Sequence, residues 1–293
     1  MSVAADLKEF LVSRRAKVTP DQVGLPSSGR RRVPGLRREE VATLAGVSPD
    51  YYVQIERGRA GDISDEVLYA LSRALLLNDV ETAHLFGLAR SRPRTGARRA
   101  PDRVPDGVLL MLDRTPDLPM LVQNGRLDLV AANDLGRALY SDVYDRSPGT
   151  PNLARYVFFD DRSAGFFPDW GLIADYAVCL LRAEAGRAPY HRKLTELIGE
   201  LATRSDEFKT RWARHDVRTH DRGEKQFRHP VVGDLTLHYE GLAIPGTDGL
   251  SLYSYLAPPG DHTAHDALLL LASWAKTHAE PAADPSVSPP RTP

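Results

Sequence analysis

LRREEVATLAGVSPDYYVQIERGR, residues 36–59, reads as two short helices joined by a tight turn. The first helix places Val41, Leu44 and Ala45 on its inner face, and Ala42 is small where a second helix would cross. Gly46 falls where the chain must turn sharply, a position that favours positive φ, and Val47 plugs the turn into the core. Ser48 is an N-cap and Pro49 takes the first helical position, where a missing N–H costs nothing. The second helix buries Tyr52 and Ile55 and ends at Gly58. This is a helix-turn-helix from Arg37 to Gly58. A recognition helix lays its outward residues along base edges and phosphates; here those are Asp50, Tyr51, Gln54 and Arg57, with Ser48 at the helix start and Arg59 just beyond its end. A helical hairpin used only for packing is the plainer alternative.

Basic residues surround this unit. Arg30, Arg31 and Arg32 close a Pro/Gly/Ser-containing loop, and Arg37 and Arg38 open the first helix. Phosphate neutralisation supplies most non-specific DNA affinity, so all five are expected DNA contacts. Upstream, a helix is expected over 5–15 with Leu7, Phe10 and Leu11 on one face. Downstream, Ser64 starts a helix with Val67, Leu68, Leu71 and Leu75 buried, and Asp79 starts another with Leu85 and Leu88 inward. Residues 1–90 thus form an all-α domain of about five helices.

Residues 91–107 hold three Pro, two Gly and five Arg and read as a linker. Beyond them strand and helix signals mix. Met120–Gln123 and Arg126–Val130 flank Asn124-Gly125, a strong hairpin signal. Helices are expected over 133–140, 170–185, 190–202 and 206–215. Strand alternation returns at Leu235, Leu237 and Tyr239 and again over 250–255. A last helix spans 263–278, and a Pro-rich tail, 279–293, is expected to be disordered. Residues 108–278 therefore read as an α+β domain.

Bulk properties agree with two domains in 293 residues, 42% of them hydrophobic and 26% charged. The net charge of −1 divides into +5 for residues 1–104 and −6 for the rest, so the front half suits a polyanion. Over the whole chain Arg outnumbers Lys 32 to six, and the bias runs through both halves, which fits a GC-rich coding sequence. No apolar run is long enough to cross a bilayer. The opening MSVAADLKEFLVSRR has no secretory apolar segment, and the single Cys179 fits a reducing compartment. A cytoplasmic protein with no membrane partner is expected.

The segment AGVSPDYYVQIERGR resembles the Cro/repressor-type, or XRE, helix-turn-helix family. The longer VPGLRREEVATLAGVSPDYYVQIERGR resembles bacterial regulators with a C-terminal MmyB-type ligand-binding domain. WARHDVR (212–218), Gly223 with Lys225, and HPVVGDLTLHYE (229–240) resemble that domain too, so the likeness spans about residues 5–278. It implies a five-helix DNA-binding domain, a PAS-like α+β sensor with a central cavity, and a small, fatty-acid-like ligand. In such a cavity the aromatic cluster Phe158, Phe159, Phe166, Phe167 and Trp170 would be mostly core, with Phe159 and Trp170 as candidate ligand walls. Arg155, Arg182, His215 and Arg218 are then candidate partners for a ligand carboxylate.

Other chemistry finds little support. Gly24 to Arg31 has two glycines but neither the Lys-Ser/Thr of a phosphate loop nor a preceding strand. His215, Asp216 and His220 lack any metal-ligand motif. Asp160-Asp161 and Glu196/Glu200 suit a loop and a polar helix face better than acid–base work. No metal, cofactor or enzymatic activity is expected. The reading is a homodimeric, sequence-specific regulator of transcription on double-stranded DNA. The alternatives are a DNA-bound enzyme and an adaptor whose C-terminal domain only dimerises or binds protein.

Overall fold

The helices of the front half that start at residues 38, 49, 65 and 79 each begin where a side chain accepts from a free backbone N–H. The structure, a computed structural model, describes residues 3–26, 33, 35–90, 103–145, 149–214 and 221–278. It has helix α1 (Val3–Lys17), a 3-10 turn (Pro20–Val23), α2 (Arg38–Leu44), α3 (Pro49–Glu56), α4 (Asp65–Ala74) and α5 (Asp79–Arg90). Ser48 Oγ accepts from Tyr51 N at 3.2 Å and Ser64 Oγ from Val67 N at 3.4 Å. Asn78 and Glu81 cap each other at the start of α5. Gly46 has φ +67° and directs the chain out of α2, while Val47 N returns to Ala42 O. Leu7, Phe10, Leu11, Val41, Tyr52, Ile55, Leu68, Leu71 and Leu85 share one core. The five helices expected from the sequence are all present among the described residues.

The second half runs α6 (Asp106–Asp113), β1 (Met120–Gln123), β2 (Leu129–Ala132), α7 (Asp134–Leu139), α8 (Ser141–Tyr144), α9 (Leu153–Phe159), α10 (Ser163–Phe166), α11 (Trp170–Arg187), α12 (Arg192–Arg204), α13 (Asp206–Trp212), β3 (Arg222–His229), β4 (Gly233–Ala243), β5 (Ser251–Leu256) and α14 (His262–His278). Its sheet is antiparallel throughout, in the order β2-β1-β5-β4-β3. Most helices cover one face, where Leu121, Phe227, Leu237, Tyr239 and Tyr255 meet residues of α7, α9 to α11 and α14. The other face holds a smaller cluster with Leu112 of α6 and Val104 just before it. The domain is α+β, and its ordered structure reaches back to Val104.

Two local expectations need correction. The hairpin between β1 and β2 forms, but its loop is five residues long, since Gln123 faces Leu129. The left-handed residue is Leu127, at φ +64°, rather than Asn124 or Gly125. A buried leucine tolerates this cost of roughly 1–2 kcal/mol because its side chain sits in the core. Gly125 answers to crowding instead: a Cβ there would collide with the Glu184 carboxyl of α11. The second correction is β3, which the sequence reading left out. Its buried face carries Lys225, Phe227 and His229, so two of its three inward residues are polar.

Candidate DNA-binding face and sensor cavity

Asp50 and Gln54 of α3 and Arg57 at its C-cap are exposed and lie four and three residues apart, so they project from one side. Tyr51 is half-buried beside them, and Arg37 and Arg59 are exposed at the flanks. Ser48 is exposed too, with its hydroxyl engaged in the cap. Arg38, also exposed, is held in an ion pair. Its Nε and Nη2 donate to Glu56 Oε1 at 2.8 and 2.7 Å, and Arg15 Nε donates to the other carboxylate oxygen at 3.2 Å. Glu56 is 1% exposed, so this bridge locks α1, α2 and α3 together beneath the recognition face. Arg30, Arg31 and Arg32 lie outside the described residues.

In the C-terminal domain a cavity lies between the sheet and α11. Its lining includes Leu127, Leu153, Ile173, Ala177, Leu180 and Lys225, and its volume is about 20 Å³. That is room for one water-sized group. Gln123, Tyr176, Tyr253 and Tyr255 supply the remaining polar edge. Lys225 is buried, donates from Nζ to Tyr140 Oη at 2.9 Å, and Tyr140 Oη lies 2.6 Å from Tyr255 Oη. Burial pushes the lysine down to about 7.

The expected ligand residues lie elsewhere. Arg155 pairs with Glu200 at the surface, at 2.8 Å. Phe159 is covered by the Arg204 guanidinium, 4.1 Å from its ring centre. Trp170 Nε1 donates to Val157 O and Ser163 Oγ. Arg182 stacks on Trp212 and donates to its carbonyl. None of these four lines the cavity, and His215 and Arg218 fall outside the described residues, as do Asp216 and His220. Glu196 and Glu200 are occupied by Arg192, Arg155 and Arg204 in ion pairs. Among the described residues, no three metal-ligating side chains converge. Nor is any helix there long and apolar enough to cross a membrane.

Residues 104–271 match the family model of the MmyB-like transcription regulator ligand binding domain. The chain belongs to the MmyB-like transcription regulators. Residues 12–85 of this MmyB-like regulator match a helix-turn-helix domain, which covers α2 and α3 with their supporting helices. No curated protein matches the chain. The regulator thus joins a DNA-binding domain to a ligand-binding domain, and both families are regulatory.

The two domains of this MmyB-like regulator touch through α11. Gly186 packs so closely on α5 that a Cβ there would stand 2.9 Å from the His84 ring. Ala183 packs against the N-terminal core. Asp6 and Glu9 of α1 act electrostatically on Arg182, which burial nevertheless pushes down to about 10. No sequence motif marks this contact, because glycine in a helix becomes informative only once its neighbour is known.

Proposed function

We propose that this regulator reads double-stranded DNA as a homodimer on paired half-sites, and that its C-terminal domain senses a small, fatty-acid-like molecule. Gln54 and Tyr51 would read base edges, assisted by Asp50 and Arg57, while Arg37 and Arg59 would take phosphates. One short helix reads only a few base pairs, which favours two copies. The exposed Leu109, Leu110 and Met111 of α6 supply an apolar face for that pairing. The strand order β2-β1-β5-β4-β3 supports a PAS-like sensor.

The observation that carries the reading is the double duty of α11. Its residues Ile173, Tyr176, Ala177 and Leu180 wall the cavity, and Ala183 and Gly186, within two turns, pack on the DNA-binding domain. A ligand pocket typically has roughly 300 Å³ or more. An acyl chain entering a cavity of about 20 Å³ must therefore displace a wall. Displacing α11 moves the element that holds α5, which is how binding energy would favour one arrangement of the DNA-binding domains over another.

Native mass spectrometry of the purified chain, paired with DNA binding with and without dodecanoate, tests this. A co-purifying small molecule and a DNA affinity that changes with dodecanoate are expected. An empty C-terminal domain carrying a stoichiometric protein partner, with DNA affinity indifferent to the acid, would replace the sensor by an adaptor.

A further inference from the structure

Lys225 is the one lysine of β3, and nothing in the DNA-binding role uses it. It sits opposite Leu237 on β4, inside the layer where the sheet meets the helices. Its Nζ lies 5.4, 5.2 and 5.9 Å from the ring centres of Tyr140, Phe167 and Phe227. Those rings and the Tyr140 hydroxyl offer partial compensation for an ammonium. Among the described residues no carboxylate forms an ion pair with Lys225, and desolvation alone accounts for its depressed proton affinity. A buried cation without a counter-ion costs several kcal/mol.

We propose that Lys225 anchors the anionic head of the ligand, a carboxylate carried on an apolar chain, and that binding takes up a proton to complete the ion pair. This rests on the cavity being the sensor site. The chemistry of the lining favours it. Leu127, Leu153, Ile173, Ala177 and Leu180 offer an apolar wall, while the polar groups near Lys225 can all donate: the Tyr140–Tyr255 hydroxyl pair, the Gln123 amide and the ammonium itself. Such a set holds an oxyanion better than it holds a cation.

The proton balance depends on the titratable groups that face the lysine. Tyr140 at the end of α7, Tyr239 on β4, and Tyr253 and Tyr255 on β5 are all pushed up by burial, so they stay neutral through the physiological range. Tyr176 faces the cavity from α11. His229, two residues along β3, is turned toward Ala138 O and is pushed down by burial, so it stays neutral at pH 7. The carboxylates around this layer act on its other groups: Asp221 on Tyr239 and Tyr253, Glu240 on Tyr239, and Asp142 on His229. Among the described residues no carboxylate pairs with Lys225, so a ligand carboxylate meets no competing partner there, and the lysine is the group whose charge it changes. Above pH 7 the free lysine is mostly neutral, and each further pH unit requires the complex to recruit a proton from a tenfold scarcer supply.

Calorimetry on the full chain with dodecanoate and 1-dodecanol, in phosphate and in Tris, reads both halves of the proposal. Expected are net proton uptake with dodecanoate near pH 8, and a Kd that weakens about tenfold per pH unit above 7. Dodecanol should bind without either effect. Lys225→Met should weaken dodecanoate by at least about thirtyfold, the low end for truncating one partner of a buried charge pair, and leave dodecanol binding in place. If that variant does not fold, the parent chain still decides. Dodecanoate binding with no proton uptake and a flat pH profile overturns the role of Lys225 and leaves the sensor reading intact. A parent chain that binds neither probe overturns both.

Discussion

Replacing Glu56 by Gln keeps the shape of the side chain and removes the charge on which Arg15 and Arg38 converge. In the parent, the carboxylate accepts from Arg15 Nε at 3.2 Å and from Arg38 Nε and Nη2 at 2.8 and 2.7 Å. Glu56 is 1% exposed, Arg15 14% and Arg38 46%. Breaking a buried pair costs about 3–5 kcal/mol because a charge is left without its partner. Arg38 is nearly half in water, so its share falls to the value of a surface pair, about 1 kcal/mol or less. Arg15 keeps its bond to Leu36 O at 2.8 Å. The low end, about 3 kcal/mol, is therefore expected. In a domain of this size that lowers Tm by roughly 12–24 °C, at about 4–8 °C per kcal/mol. The three tryptophans, Trp170, Trp212 and Trp274, all lie in the C-terminal domain. Far-UV circular dichroism sees both domains, whereas tryptophan fluorescence sees only the second. In Glu56→Gln the dichroism curve should gain an early phase while the fluorescence transition stays in place. A dichroism shift below about 4 °C would mean that the bridge is worth no more than a surface contact, and the reasoning would be refuted.

Gln54→Ala should reduce discrimination at one operator position by about 1–3 kcal/mol, and Arg37→Ala should weaken all DNA sequences and lower the salt slope by about 1; titrations at several salt concentrations on matched and mismatched sites separate the two. Gly186→Leu should push α11 off the His84 ring, leaving dodecanoate binding and DNA binding present but uncoupled; a parental response of DNA affinity to dodecanoate would show that the signal takes another route. The stability of the C-terminal domain should rise between pH 7 and 9. The unfolded chain keeps Lys225 protonated up to about 10.5, whereas the folded state releases the proton near 7, so the penalty is full below pH 7 and is relieved as pH rises, by at most about 1.4 kcal/mol per unit. Urea titrations followed by tryptophan fluorescence should show this gain and its loss in Lys225→Met. His229, also pushed down by burial, should make the same domain less stable as pH falls below 6.5, since the unfolded state then takes up a proton that the folded state resists.

The helix-turn-helix was legible because its information is local. Ser48, Pro49, Gly46 and the spacing of Val41, Tyr52 and Ile55 each act within a few residues, through caps, fixed φ or helical periodicity. The same holds for α11 and for the alternation in β4. Strand β3 was illegible for a physical reason: Lys225 and His229 occupy its buried face, and binary patterning assigns such residues to solvent. Arg38 carries a second task that its sequence position does not reveal. It resembles every other arginine beside the recognition helix, and only the position of Glu56, 18 residues away, gives it a structural task.

By itself the sequence determined that five helices would build a DNA-binding domain around 36–59, and that an α+β domain would follow. These follow from local backbone preference and from the periodic placement of apolar residues. Only the tertiary structure decided which polar residues are buried, because burial depends on what the rest of the chain brings alongside. It set Lys225 among three aromatic rings with no carboxylate partner among the described residues, placed Arg155 and Arg182 outside the cavity lining, and made one helix serve as both cavity wall and domain contact. Charge and hydrogen bonding in a low-dielectric interior are properties of the neighbourhood, so the lining of the cavity emerges only with the fold.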